Sequence, residues 1–126
     1  MTRANELIAS LGLEPHPEGG FFREVIRSAE TLPGELPERY EGARCLYTNI
    51  YFMLSGANIS HLHRLASDEM WHFIEGSPAE IAIISPEGLL EIVRLGGNVS
   101  SGERFTVLIP RGSWFGAWVA VSGNDA

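Results

Sequence analysis

The sequence predicts an all-β fold, a sandwich or barrel, preceded by one short helix. Two observations carry this. Eight short runs rich in Phe, Tyr, Ile, Val and Trp follow one another, and Pro- and Gly-containing turns separate them at close intervals. Helical spacing is found at the N-terminus. In "TRANELIASLGL", residues 2–13, Thr2 is placed to cap, Leu7, Ile8 and Leu11 share a face, and Gly12 ends the helix.

"EPHPEGG" then reads as a rigid turn region, in which Gly19 and Gly20 supply the positive φ that leads the chain into its first strand. The predicted strands are "FFREVIRS", "LYTNIYFML", "ISHLHRL", "EMWHFIE", "AEIAIIS", "LLEIVRL", "RFTVLIP" and "SWFGAWVAV". Ser55-Gly56, Pro86-Glu87-Gly88, Gly96-Gly97-Asn98 and Ser101-Gly102 mark turns between them. Residues 29–43, "AETLPGELPERYEGA", are polar and Pro-rich and read as a long surface loop. "AEIAIISPEGLLEIVRL" reads as a hairpin of core strands. No repeat, low-complexity tract or internal boundary interrupts the chain, so a single domain over residues 1–126 is expected.

A chain of 126 residues is long enough to bury a core, and 44% hydrophobic with 20% charged residues is a globular mixture. The formal net charge is -7, and the nine basic residues are scattered, which argues against a nucleic-acid partner. Cys45 is the only cysteine, which excludes an internal disulfide and a Cys-based zinc cluster; it is expected as a small buried hydrophobe. No secretory h-region opens the chain, and no apolar run approaches the ~18 residues of a membrane span. The expectation is a soluble cytoplasmic protein.

The chemistry concentrates in "SHLHRLASDEMWHFIEG", residues 60–76, which holds three of the four histidines. On regular strands, alternate side chains share a face. His61 and His63 are therefore expected together, and Glu69, Trp71 and Phe73 together on the next strand. Five residues separate His63 from Glu69, enough for a turn that brings the strands side by side. Two imidazoles and a carboxylate would then form a facial set for a divalent metal such as Fe, Mn, Ni or Zn. Without metal, His63 and Glu69 would serve as an acid/base pair in a dry pocket. The plainer alternative is a hydrogen-bonded pair joining two strands. His72 falls on the opposite face, and His16, between prolines, reads as structural. Arg64 and Asp68 are placed to pair across the turn. Arg23 is a candidate for an anionic ligand group, and Tyr51, Trp71, Phe73 and Trp114 are candidates for the pocket lining or for plain core.

Gly56, His61, His63, Glu69 and Gly76 resemble the first cupin motif, with its glycine-to-histidine spacing one residue short and its histidine-to-glutamate gap one residue long. "GERFTVLIPRGSWF" supplies Gly102, Pro110 and Gly112 of the second, but Phe115 stands where that motif places a metal-binding histidine. "LGLEPHPEGGFFREVIRS", "IYFML", "HRLASDEMWHFIEG" and "IPRGSW" together are similar to the fifth cupin family, a domain of unknown function, in that family's order. The resemblance runs from about Leu7 to Trp118. It implies a double-stranded β-helix, the cupin jelly roll seen in sugar epimerases, and a homodimer. It implies no established reaction. In this family the equivalent of His61 is not fixed. Members continue past "GSW" with further strands, whereas this sequence stops at "VAVSGNDA", so the family's C-terminal strands are expected to be missing. The functions implied are a sugar epimerase or isomerase-like or metal-assisted enzyme acting on a small molecule through His63 and Glu69, or a non-catalytic module binding a sugar or nucleotide-like ligand.

Overall fold

The computed structural model describes residues 2–30 and 45–120; most of the loop expected over 29–43 lies outside them. The chain divides into two compact units. One runs through His16 and over Phe21–Met53, the other over Pro17–Gly20 and from Leu54 onward.

The first unit opens with α1 (Arg3–Leu11). Thr2 Oγ1 accepts the Asn5 N–H at 3.1 Å, which satisfies one of the orphan donors of the first turn. Gly12 ends the helix in the left-handed region at φ 66°. The strands β1 (Glu14–Pro15), β2 (Phe21–Arg27) and β3 (Thr48–Met53) form an antiparallel sheet in that order. Arg23 Nη1 donates to the Leu11 carbonyl at 3.3 Å, placing a cation at the negative end of the helix. His16 meets Phe22 and Phe52 edge-on, at centroid distances of 4.9 and 5.4 Å. Cys45 differs from expectation: it is half-buried, with its Sγ 3.8 Å from Arg27 Nη1.

The second unit holds β4 (Ile59–Arg64), β5 (Glu69–His72), β6 (Ala79–Ile84), β7 (Leu90–Leu95), β8 (Thr106–Ile109) and β9 (Trp114–Val119). One sheet has the order β4-β9-β6-β7 and the other pairs β5 with β8, all antiparallel. Each of the eight predicted strand segments contains one strand, β2 to β9. The two-residue β1 was not anticipated, because Pro15 lies within it. The fold is mostly β with one short helix, consistent with a cupin jelly roll. The described strands form three separate sheets, however, and do not close into a barrel. Closure needs a ladder from each edge strand to the next sheet, and no described strand provides one.

Inward residues of both sheets make the core: Ile81 and Ile83, Val93 and Leu95, Val107 and Ile109, Phe115 and Ala117. The two-residue spacing within each pair is the pleat of a strand with one buried face. Ile81 is 0% and Ile109 1% exposed; full burial of such a side chain is worth about 1.5–3 kcal/mol. The hairpin of residues 79–95 is therefore core on one face only. Leu90 and Ile92, on the other face of β7, are 62% and 51% exposed, contrary to the plain core hairpin expected. No described helix is long and apolar enough to cross a membrane.

Candidate functional site

The register between β4 and β9 decides which side chains meet. Ser60 lies opposite Ala117, but the next aligned pair is His63 with Phe115. Three steps along β4 thus match two along β9, so β4 carries a bulge at His61-Leu62. Past the bulge the alternation is reversed. Ser60 and His63 share the inward side with the buried Ala117 and Phe115, while His61 and Leu62 are exposed. His61 and His63 do not point together, as an unbroken strand would have made them do.

Glycines hold the bulge in place. A Cβ on Gly116 would come within 2.8 Å of the Ser60 carbonyl oxygen. On the other edge of β4 the His61 N–H donates to the Glu18 carbonyl at 2.7 Å. Next to it, Gly19 and Gly20 adopt φ of 110° and 81°, as the turn reading requires.

The bulge withdraws the His61 imidazole from the site and contributes its carbonyl instead. His63 Nδ1 lies 2.7 Å from the His61 carbonyl oxygen. A carbonyl can only accept, so Nδ1 carries the hydrogen and the neutral ring keeps its lone pair on Nε2. The imidazole lies tilted on Phe115 at a centroid distance of 4.2 Å, and Phe115 meets Trp71 edge-on at 6.4 Å. Trp71 Nε1 in turn donates to Glu69 Oε2 at 2.6 Å. Glu69 and Trp71 are half-buried and share a face of β5, while Met70 and His72 are exposed on the other, as alternation predicts. Phe73 packs against the core beside Trp71. The result is a histidine and a carboxylate, each oriented by one hydrogen bond, with two aromatic rings between them. His63 and Glu69 make no hydrogen bond or ion pair with each other, so the plain strand-joining pair is not what they form.

The flanking turns are tied together. Asp68 Oδ1 accepts the Arg111 N–H at 2.8 Å, and the Gly112 N–H donates to the Leu65 carbonyl at 3.0 Å. Asp68 therefore binds the turn before β9 rather than Arg64, as had been expected. The Arg64 guanidinium lies over the Trp114 ring at 5.1 Å. These bonds join "SDE" to "PRGSW" and fix where β5 begins, hence the direction of Glu69.

Of the remaining candidates, Trp114 falls elsewhere on its own strand. Trp114 is 43% exposed, on the face of β9 opposite Phe115; a strand gives adjacent residues opposite sides, and Phe115 takes the inner one. Arg23 and Tyr51 are register partners on β2 and β3, in the first unit. Among the described residues no three of His, Cys, Asp and Glu come together as a metal-binding group. His61 is turned out by the bulge, Phe115 occupies the place of the second-motif histidine, and one Glu69 oxygen is held by Trp71. This donor set does not fit the divalent metal that the two-histidine spacing implies.

A family model described as Cupin superfamily (DUF985) matches residues 5–124. The chain belongs to this family. Solved structures agree with it. A hypothetical protein from Leishmania major is 36% identical with a TM-score of 0.88, covering 99% of this chain and 74% of its own. A protein from Shewanella oneidensis is 40% identical with a TM-score of 0.81, covering 99% of this chain and 72% of its own. No curated protein matches. In this chain the residues above form an arrangement that the cupin motif alone does not describe. Phe115 as the wall between His63 and Trp71 was missed, as was the bulge. Gly116 inside a strand was the available signal, since glycine there marks a bulge or a close backbone approach.

Proposed function

We propose that this cupin domain binds a small, hydroxyl-rich molecule between His63 and Glu69, and that His63 Nε2 acts on it as a general base without a metal ion. The supporting observation is the bond from His63 Nδ1 to the His61 carbonyl, which leaves Nε2 as an acceptor in a fixed ring orientation. Glu69, oriented through Oε2 by Trp71, offers a carboxylate to a substrate hydroxyl. The rings of Phe115 and Trp71 supply apolar surface for the carbon face of a sugar. In an epimerase or isomerase of this kind, Nε2 takes a proton from a carbon next to a carbonyl and that proton exchanges with solvent.

The test is deuterium wash-in, followed by NMR in D2O, over a panel of keto-sugars and nucleoside-diphosphate sugars. Wild type is expected to bind a panel member and exchange its proton. His63→Gln should lower that exchange by about a hundredfold or more, the scale of a lost positioned acid/base group. Binding without wash-in, with Glu69→Gln costing little affinity, would support the non-catalytic module instead. Neither binding nor exchange would refute both.

A further inference from the structure

The two faces of the β1-β2-β3 sheet carry different charges. β3 is unbroken, so Asn49, Tyr51 and Met53 share one face. Their partners across the ladder are Ile26, Arg23 and Phe21. The other face takes Glu14, opposite Phe22, and Glu24, opposite Ile50. There the register shift between Glu24 and Ile26 returns Arg27 to the side of Glu24, and the two form an ion pair at 2.8 Å. Both carboxylates of the described sheet thus lie on one face. The face of Arg23 holds a guanidinium and, among the described residues of the sheet, no carboxylate.

Arg23 is seated by its own surroundings. Its Nη1 donates to the Leu11 carbonyl at the end of α1. Gly12 makes room for it, since a Cβ there would stand 2.5 Å from Nη1. With Nη1 engaged, the edge formed by Nε and Nη2 is left, and this edge is the fork that meets two oxygens of a carboxylate or phosphate side by side. Among the described residues Arg23 makes no ion pair, and the Tyr51 hydroxyl and Asn49 amide make no hydrogen bond. Tyr51 is 39% exposed and lies directly opposite Arg23, a position that sets Cβ atoms about 4.5–5.5 Å apart.

We infer that Arg23, Tyr51 and Asn49 form a binding site for the oxyanion of a small molecule, a carboxylate or a phosphate. The guanidinium fork supplies the charge, and the hydroxyl and amide supply further donors. Phe21, Ile26 and Met53 on the same face are apolar and bring no competing charge. In a chain of net charge -7, an anion is held only where a cation faces it alone. The site lies wholly in the first unit and does not rest on the roles assigned to His63 and Glu69.

Titration of the full chain with inorganic phosphate and, separately, acetate tests this, with ionic strength held constant by chloride and 1H–15N spectra recorded throughout. The Arg23 Nε–H signal, identified by its loss in Arg23→Lys, should shift and saturate with a midpoint of about 1–10 mM for at least one anion. The Nε–H signals of Arg3 and Arg27 should not. Saturation by acetate alone would identify a carboxylate, and by phosphate alone a phosphate; each supports the site. The backbone amides of β2 and β3 report affinity in the variants. Arg23→Lys keeps the charge but not the fork and should weaken binding at least about tenfold; Tyr51→Phe should weaken it about fivefold with circular dichroism unchanged. No shift at Arg23 would overturn the inference. So would a shift that never saturates and is shared by Arg3 and Arg27, the mark of a general ionic effect, or wild-type affinity in both variants.

Discussion

Gly19→Ala is expected to cost about 3–5 kcal/mol of stability, combining positive-φ strain with a steric clash. Gly19 sits at φ 110°, where a side chain is strained whatever the space around it. Its added Cβ would also overlap the Ile59 carbonyl oxygen. That oxygen is backbone and cannot swing aside, because Ile59 is paired with Trp118 in the β4-β9 ladder. Relief would require the Pro17–Gly20 segment to lift off β4, which breaks the bond between the His61 N–H and the Glu18 carbonyl. Gly88→Ala isolates the strain, since Gly88 has φ 89° and open space around its Cβ position. It should cost about 1 kcal/mol. Urea denaturation of both variants checks the comparison. Equal losses would mean that the contact with β4 carries no weight.

Phe115→Ala is the second large effect. Phe115 is 1% exposed at the centre of β9, and truncating such a phenylalanine costs about 3–5 kcal/mol. Its loss reaches the site as well as the core, because the same ring backs the His63 imidazole and meets Trp71. The denaturation midpoint should fall with the slope unchanged, the mark of lost stability rather than an altered unfolded state. Phe115→Leu should keep most of the stability yet still remove the ring beneath His63. Loss of the proposed sugar binding in Phe115→Leu, with the fold intact, would separate the ring's proposed role in the site from its role in the core.

The strands were legible because each carries a short run of β-branched or aromatic residues between turn residues. The helix was legible because its cap, apolar stripe and terminating glycine agree. Pairing and side-chain direction were less so. "HLH" gives no sign that its alternation breaks, since a bulge depends on what lies across the ladder. Only Gly116, on another strand, marked it. Trp114 and Phe115 are adjacent aromatics, and either could have taken the inner side; the register of β9 against β6, with Ile83 opposite Phe115, decides. Asp68 was misassigned because its partner is a backbone N–H, at Arg111, which sequence does not reveal. Glu69 and Trp71 were placed on one face correctly, but the hydrogen bond between them was not foreseen.

The claim that His63 is an oriented base rests on one proton. A long-range 1H–15N spectrum of the imidazoles at alkaline pH locates it, with His63→Gln identifying the signals. The prediction is a neutral ring protonated on Nδ1 and bare on Nε2. A ring protonated on Nε2 with bare Nδ1 would contradict the bond to the His61 carbonyl, and the proposed base would have no free lone pair to use.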